Sequence, residues 1–156
     1  MSPSGPRQQT ADAAVHSAVV QAVHRSWWNV DLEFGVGSEL LYTEDGVCEM
    51  PALTMTGRAE IIRGYAARQA AGPRSSRHLV SNTVVDSLSD ERASAMYIVT
   101  LHAHNGLPPL PLHSPSAICD VVDHFVRDGG EWLIERRVLD AIFVAAENDS
   151  VLLGNR

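Results

Sequence analysis

Residues 11–28 carry Val15, Val19, Ala22, Val23 and Trp27 at three- and four-residue spacing. That period draws one apolar stripe along a helix. The pattern ends at Asn29-Val30-Asp31. A second, shorter helix is predicted over residues 32–41, although Gly35 and Gly37 oppose it. Thr43-Glu44-Asp45-Gly46 has the composition of a turn, and a short strand over 47–50 ends at Pro51. Gly57 precedes a third helix over 58–71, closed by Gly72-Pro73. The pattern then changes. Segments 77–86, 93–104, 117–127 and 131–144 are rich in Val, Ile, Leu and aromatics, as strands are. Gly129-Gly130 marks a hairpin turn, because glycine supplies positive φ at low steric cost. Residues 105–116 hold four prolines and form a loop. Helices followed by an antiparallel meander predict an α+β fold, with three N-terminal helices packed on one face of a curved sheet.

Composition narrows the chemistry. The chain has 156 residues, 45% of them apolar, enough for a single core. The expected organisation is a polar tail over 1–10, one domain over 11–146 and a C-terminal tail over 147–156. Within that last tail, Val151-Leu152-Leu153 could cover a neighbour or the pocket mouth. Net charge is −7, which disfavours a phosphate-backbone partner, so no nucleic acid is expected. All 12 basic residues are Arg, which excludes a lysine Schiff base, pyridoxal-phosphate attachment and a P-loop. Cys48 and Cys119 form no CxxC pair, so a reducing cytoplasm is the default location. No apolar run reaches the ~18 residues of a membrane span, and the polar opening decapeptide leads us to expect no export signal.

Several segments together resemble a SnoaL-like member of the nuclear transport factor 2-like superfamily. They are the opening helix running into Asn29-Val30-Asp31, then Leu41-Tyr42-Thr43-Glu44-Asp45-Gly46, Gly57-Arg58-Ala59-Glu60-Ile61-Ile62 and Arg77-His78-Leu79-Val80-Ser81-Asn82. Asp128-Gly129-Gly130-Glu131-Trp132 closes the set, with Arg136-Arg137 behind it. The resemblance implies a cone, a strongly bent and mostly antiparallel sheet wrapped on the helices around an apolar pocket. It points to the branch with scytalone dehydratase and the bile-acid 7α-dehydratase. Such a likeness implies an acid near the exit of the first helix, here Asp31, and a His on the strand after the third helix, here His78. A second polar group follows on the next strand, His102 or His104. It implies no metal and no cofactor, and a homodimer or homotrimer.

The chemistry expected of these residues is general acid–base catalysis. A neutral imidazole in an apolar pocket can accept a proton near pH 7. A carboxylate bonded to it fixes the tautomer and stabilises the imidazolium. Strand alternation places His78, Val80, Asn82 and Val84 on one face of their strand, and His102 and His104 together on the next strand with Met96, Ile98 and Thr100. Asp31 is equally suited to capping a helix. Asn82 could hold a substrate oxygen, Tyr42 could donate to a carbonyl, and Trp28 could line the pocket mouth. Arg136 or Arg137, whichever faces inward, could bind an oxyanion bidentately. His102-Ala103-His104 offers two ligands where zinc needs three or four, so no metal site is expected. The leading expectation is a cofactor-independent lyase or isomerase, of dehydratase or cyclase type, acting on a hydrophobic cyclic small molecule of polyketide or steroid kind. The competing readings are a non-catalytic small-molecule-binding module and the small subunit of a ring-hydroxylating dioxygenase.

Overall fold

A computed structural model describes residues 9–146. The expectations for residues 1–8 and 147–156 lie outside the described residues. Residues Gln9–Thr10 form a two-residue strand, β1. Helix α1 spans Ala13–Leu32, and the Asp12 carboxylate caps it by accepting the Val15 N–H at 2.8 Å. Val19, Val23 and Trp27 of the stripe drawn by the sequence are buried, and the helix runs past its expected end so that Val30 is buried as well.

Among the described residues two α-helices form, not three. Residues 32–41, predicted as a helix, contain a four-residue 3-10 turn, Ser38–Leu41. The cause is local. Phe34, Gly35 and Gly37 have φ of 55°, 79° and 79°, which no right-handed helix accepts. The Glu33 and Gly35 N–H groups both bond the Asn29 carbonyl, which finishes α1. Gly35 has a further constraint, since a Cβ there would stand 2.2 Å from Cδ1 of Tyr65.

Strand β2, Tyr42–Met50, is longer than the pattern predicted. The turn-like residues 43–46 do not end it but form an irregularity between Tyr42 and Val47. Strand β3, Leu53–Thr56, leads into helix α2, Gly57–Ala70. The Glu60 carboxylate accepts the Thr56 N–H at 2.7 Å and closes the first turn. The meander follows as β4, Arg74–Ser89; β5, Arg92–Asn105; β6, Ala117–Asp128; and β7, Glu131–Val144. The sheet order is β1-β4-β5-β6-β7-β2-β3, antiparallel throughout except for β2 on β7.

One face of the sheet packs against the helices. Tyr97, Val99 and Leu101 of β5, Val121 and Phe125 of β6, and Ile134 of β7 meet Val19, Val23 and Trp27 of α1 in the core. Tyr42, Met55 and Ile61 extend this core toward α2. Side chains pack this core, and the two larger open spaces adjoin the C-terminal end of α1. No helix of the described residues is long and apolar enough to cross a membrane.

Candidate active site

The exit of α1 lies against the first half of β4. Ser76, His78 and Val80 alternate on the side of β4 that faces α1, while Arg77 and Leu79 point away and are exposed. This brings Asp31 against His78. Nδ1 of His78 lies 2.7 Å from Oδ1 of Asp31, and the two side chains are only 10% and 6% exposed. The same carboxylate accepts the His78 backbone N–H at 2.7 Å and the Ser76 hydroxyl at 2.7 Å. Ser76 in turn accepts from Nη2 of Arg68 at 3.2 Å.

These contacts set the protonation of the pair. Burial pushes Asp31 up, but the hydrogen bonds and charge of His78, with the Ser76 hydroxyl, outweigh it and hold the carboxyl below its ordinary value. Burial is the largest influence on His78 and outweighs the Asp31 carboxylate, so the imidazole also titrates below its ordinary value. At neutral pH the pair is an ionised Asp31 and an uncharged His78. An acceptor on Nδ1 fixes the Nδ1–H tautomer and leaves the lone pair on Nε2.

A second buried network holds the imidazole in place. His78 stacks on Trp27, with ring centroids 4.4 Å apart and planes 19° apart. Arg137 lies over the Trp27 ring at 4.3 Å. Its Nε and Nη2 donate to Asp123 at 2.7 and 2.6 Å, and Nη2 also donates to the Ser26 hydroxyl at 2.7 Å. The Tyr97 hydroxyl donates to Asp123 at 2.8 Å and accepts Nε1–H of Trp27 at 3.0 Å. Burial alone would depress the Arg137 guanidinium, but Asp123 and the neighbouring tyrosines hold it well above its ordinary value.

Two cavities adjoin the pair, and Asp31 borders both. The first, about 330 Å³, is lined by His78, Trp27, Trp28, His24, Leu32 and Val80, among others. The second, about 700 Å³, lies between the ends of the two helices, the start of β4 and the proline-rich loop. Its wall includes Ser76, His102, His104 and His113.

The predicted site residues thus divide into groups. Asp31 and His78 are in contact, and Trp28 lines the smaller cavity while 68% exposed. His102 and His104 share a face, but not the face of His78. In the β4–β5 register His78 opposes Leu101, whereas Arg77 opposes His102 and Ser75 opposes His104. Asn82 does not share the His78 face either. Its φ is 54°, the register shifts between Ser81 and Val84, and both Asn82 and Val84 end exposed. Tyr42 is 2% exposed within the core rather than on either cavity. Arg136 points outward and pairs with Glu49 at 2.7 Å, so Arg137 is the inward arginine. The sequence reading missed Ser76, Arg68 and the role of Asp123. Asp123 carried a readable signal, as it alternates with Val121 and Phe125 on an otherwise apolar strand face. Among the described residues no group of three or more His, Cys, Asp or Glu is placed to hold a metal.

The SnoaL-like domain profile matches residues 11–138, and the chain belongs to that family. No curated protein matches the sequence. Solved structures share the fold. A putative scytalone dehydratase from Novosphingobium aromaticivorans superposes with a TM-score of 0.73 at 18% identity, covering 85% of this chain and 87% of that one. ActVI-ORFA from Streptomyces coelicolor gives 0.71 at 19% identity, over 83% and 98% of the two chains. A Catenulispora acidiphila protein in complex with S-DNPA gives 0.69 at 23% identity, over 90% and 98%.

Proposed function

We propose that this protein is a cofactor-independent lyase or isomerase in which His78 and Asp31 carry out general acid–base catalysis on a hydrophobic cyclic small molecule. The observation that carries the reading is the buried Asp31–His78 pair beside a cavity, with the imidazole uncharged and its Nε2 free of hydrogen-bond partners among the described residues. Nε2 removes a proton from the carbon next to a substrate carbonyl. Asp31 stabilises the imidazolium that results. In a dehydration, Nε2–H returns that proton to the departing hydroxyl as its C–O bond breaks, and water leaves. Trp28, Leu32 and Val80 supply the apolar part of the wall against which a hydrophobic ring can rest.

Hydroxylated tetralones incubated in D2O test the reading. Nuclear magnetic resonance follows both exchange at the carbon next to the carbonyl and loss of the hydroxyl. His78→Gln should reduce the rate by about 10²–10⁴, the usual contribution of one general base. Unchanged exchange in a folded His78→Gln variant would dismiss the base.

A non-catalytic binding module is the second reading, favoured by the size and partly apolar wall of the 700 Å³ cavity. In either case the exposed Leu79, Val84, Met96 and Ile142 give the outer face of the sheet an apolar character suited to a homodimer or homotrimer. The unpaired thiols of Cys48 and Cys119 suit a cytoplasmic protein.

A further inference from the structure

The 700 Å³ cavity differs in charge from the rest of the molecule. The chain carries a net charge of −7, yet Arg68, Arg74 and Arg77 all line this one space. Among the described residues Asp31 is the sole carboxylate in its wall, and its oxygens already accept from His78 and Ser76. Among the described residues none of the three arginines forms an ion pair. Arg74 is crowded rather than relieved, since burial and the nearby Arg68 cation both push its pKa down. Two imidazoles, those of His102 and His104, add to the polarity of the wall. The remaining wall is apolar, with Leu32, Phe34, Leu107, Leu110 and Leu112.

We infer that this cavity binds an amphipathic organic acid, with its carboxylate held by Arg74, Arg77 and the His102–His104 pair and its hydrocarbon body laid on the leucine-rich loop. A guanidinium presents a planar fork that matches a carboxylate, and a wall shared between cations and leucines matches a molecule with one charged end. The volume lies within the range of small-molecule sites. This deepens the acid–base reading by naming a substrate class, and rests on it only in the sense that Asp31 borders both spaces. Ligand binding is measured without turnover, so the two ideas fail separately.

Isothermal titration with naphthalene-2-carboxylate, naphthalene-2-carboxamide and 2-naphthyl phosphate is the test. The carboxylate should bind at least about tenfold tighter than the amide, a difference of about 1.4 kcal/mol. The double variant Arg74→Gln/Arg77→Gln should erase that preference and leave amide affinity unchanged. His78→Gln should keep the preference, whatever becomes of turnover. The inference is overturned by equal affinity for acid and amide, by absence of saturable carboxylate binding below about 1 mM, or by a double variant that keeps the preference. Tighter binding of the phosphate ester by about tenfold would overturn the carboxylate assignment in favour of a phosphorylated ligand.

Discussion

Replacing Arg137 by Met removes a buried cation while keeping an apolar chain of similar length. Arg137 and Asp123 have side chains 2% and 0% exposed, so water cannot replace what is lost. The variant deletes both ionic hydrogen bonds to Asp123, at 2.7 and 2.6 Å, and leaves that carboxylate only the Tyr97 hydroxyl at 2.8 Å. A buried charge deprived of its partner costs about 3–5 kcal/mol. The lost cation–π contact with Trp27 adds up to about 1 kcal/mol, though the two are not additive. Against a usual domain stability of about 5–15 kcal/mol, this is a large fraction. Urea unfolding followed by tryptophan fluorescence should show the midpoint falling by more than about 1 M at unchanged slope. Adding Asp123→Leu should recover at least half of the loss, because no lone charge then remains in the core. A loss below about 1 kcal/mol for Arg137→Met, or a double variant that simply sums two penalties, would refute the claim that this pair is a desolvated, mutually dependent unit.

Other consequences are as direct. His78 and Asp31 both titrate below their ordinary values of 6.5 and 3.8, so their contribution to stability is complete above those values and is lost as pH falls through the folded ones. Urea midpoints should therefore start to fall below pH 6.5, and His78→Gln should flatten that first decline. Ser76→Ala removes one donor from the Asp31 carboxylate; a titration of the Asp31 carboxyl by nuclear magnetic resonance should show its pKa rising, with about 1–2 kcal/mol of stability lost. Gly35→Ala places a methyl against the Tyr65 ring at positive φ, and should cost about 2 kcal/mol or more, read as a drop of several degrees in thermal melting.

Much of the architecture was legible because it follows from period and punctuation. The apolar stripe from Val15 to Trp27 defined α1, and Gly129-Gly130 fixed the last hairpin. The expected second helix, over residues 32–41, failed because Phe34, Gly35 and Gly37 adopt positive φ, a conformation that the two glycines permit and that the apolar spacing could not show. Local composition also could not show that residues 43–46 sit within a strand, since only the partner β7 holds them there. In the site, the resemblance named Asp31 and His78 as partners, and the fold brings them together. Strict alternation misplaced Asn82, because one residue at positive φ shifts the facing of all that follow. His102 was assigned to the right strand and the right neighbours, but the β4–β5 pairing turns that face away from His78. Ser76 and Arg68 were invisible because a hydroxyl and a surface-type cation acquire their roles through tertiary contacts, of Ser76 with Asp31 on α1 and of Arg68 with Ser76 on β4.

The parallel seam between β2 and β7 has a bearing on how the chain acquires its shape. Cys48 is registered against Arg137, a neighbour nearly ninety positions away along the backbone. On a ribosome, β2 and β3 emerge early and must wait with an unpaired margin until β7 has been made. The helices and β4–β6 can assemble by adjacent pairings in the meantime, but sealing this junction closes a very long loop. Translation pausing or a truncated product would accordingly leave the Tyr42–Met50 edge open to foreign strands, which makes β7 the segment whose arrival protects the nascent protein from aggregation.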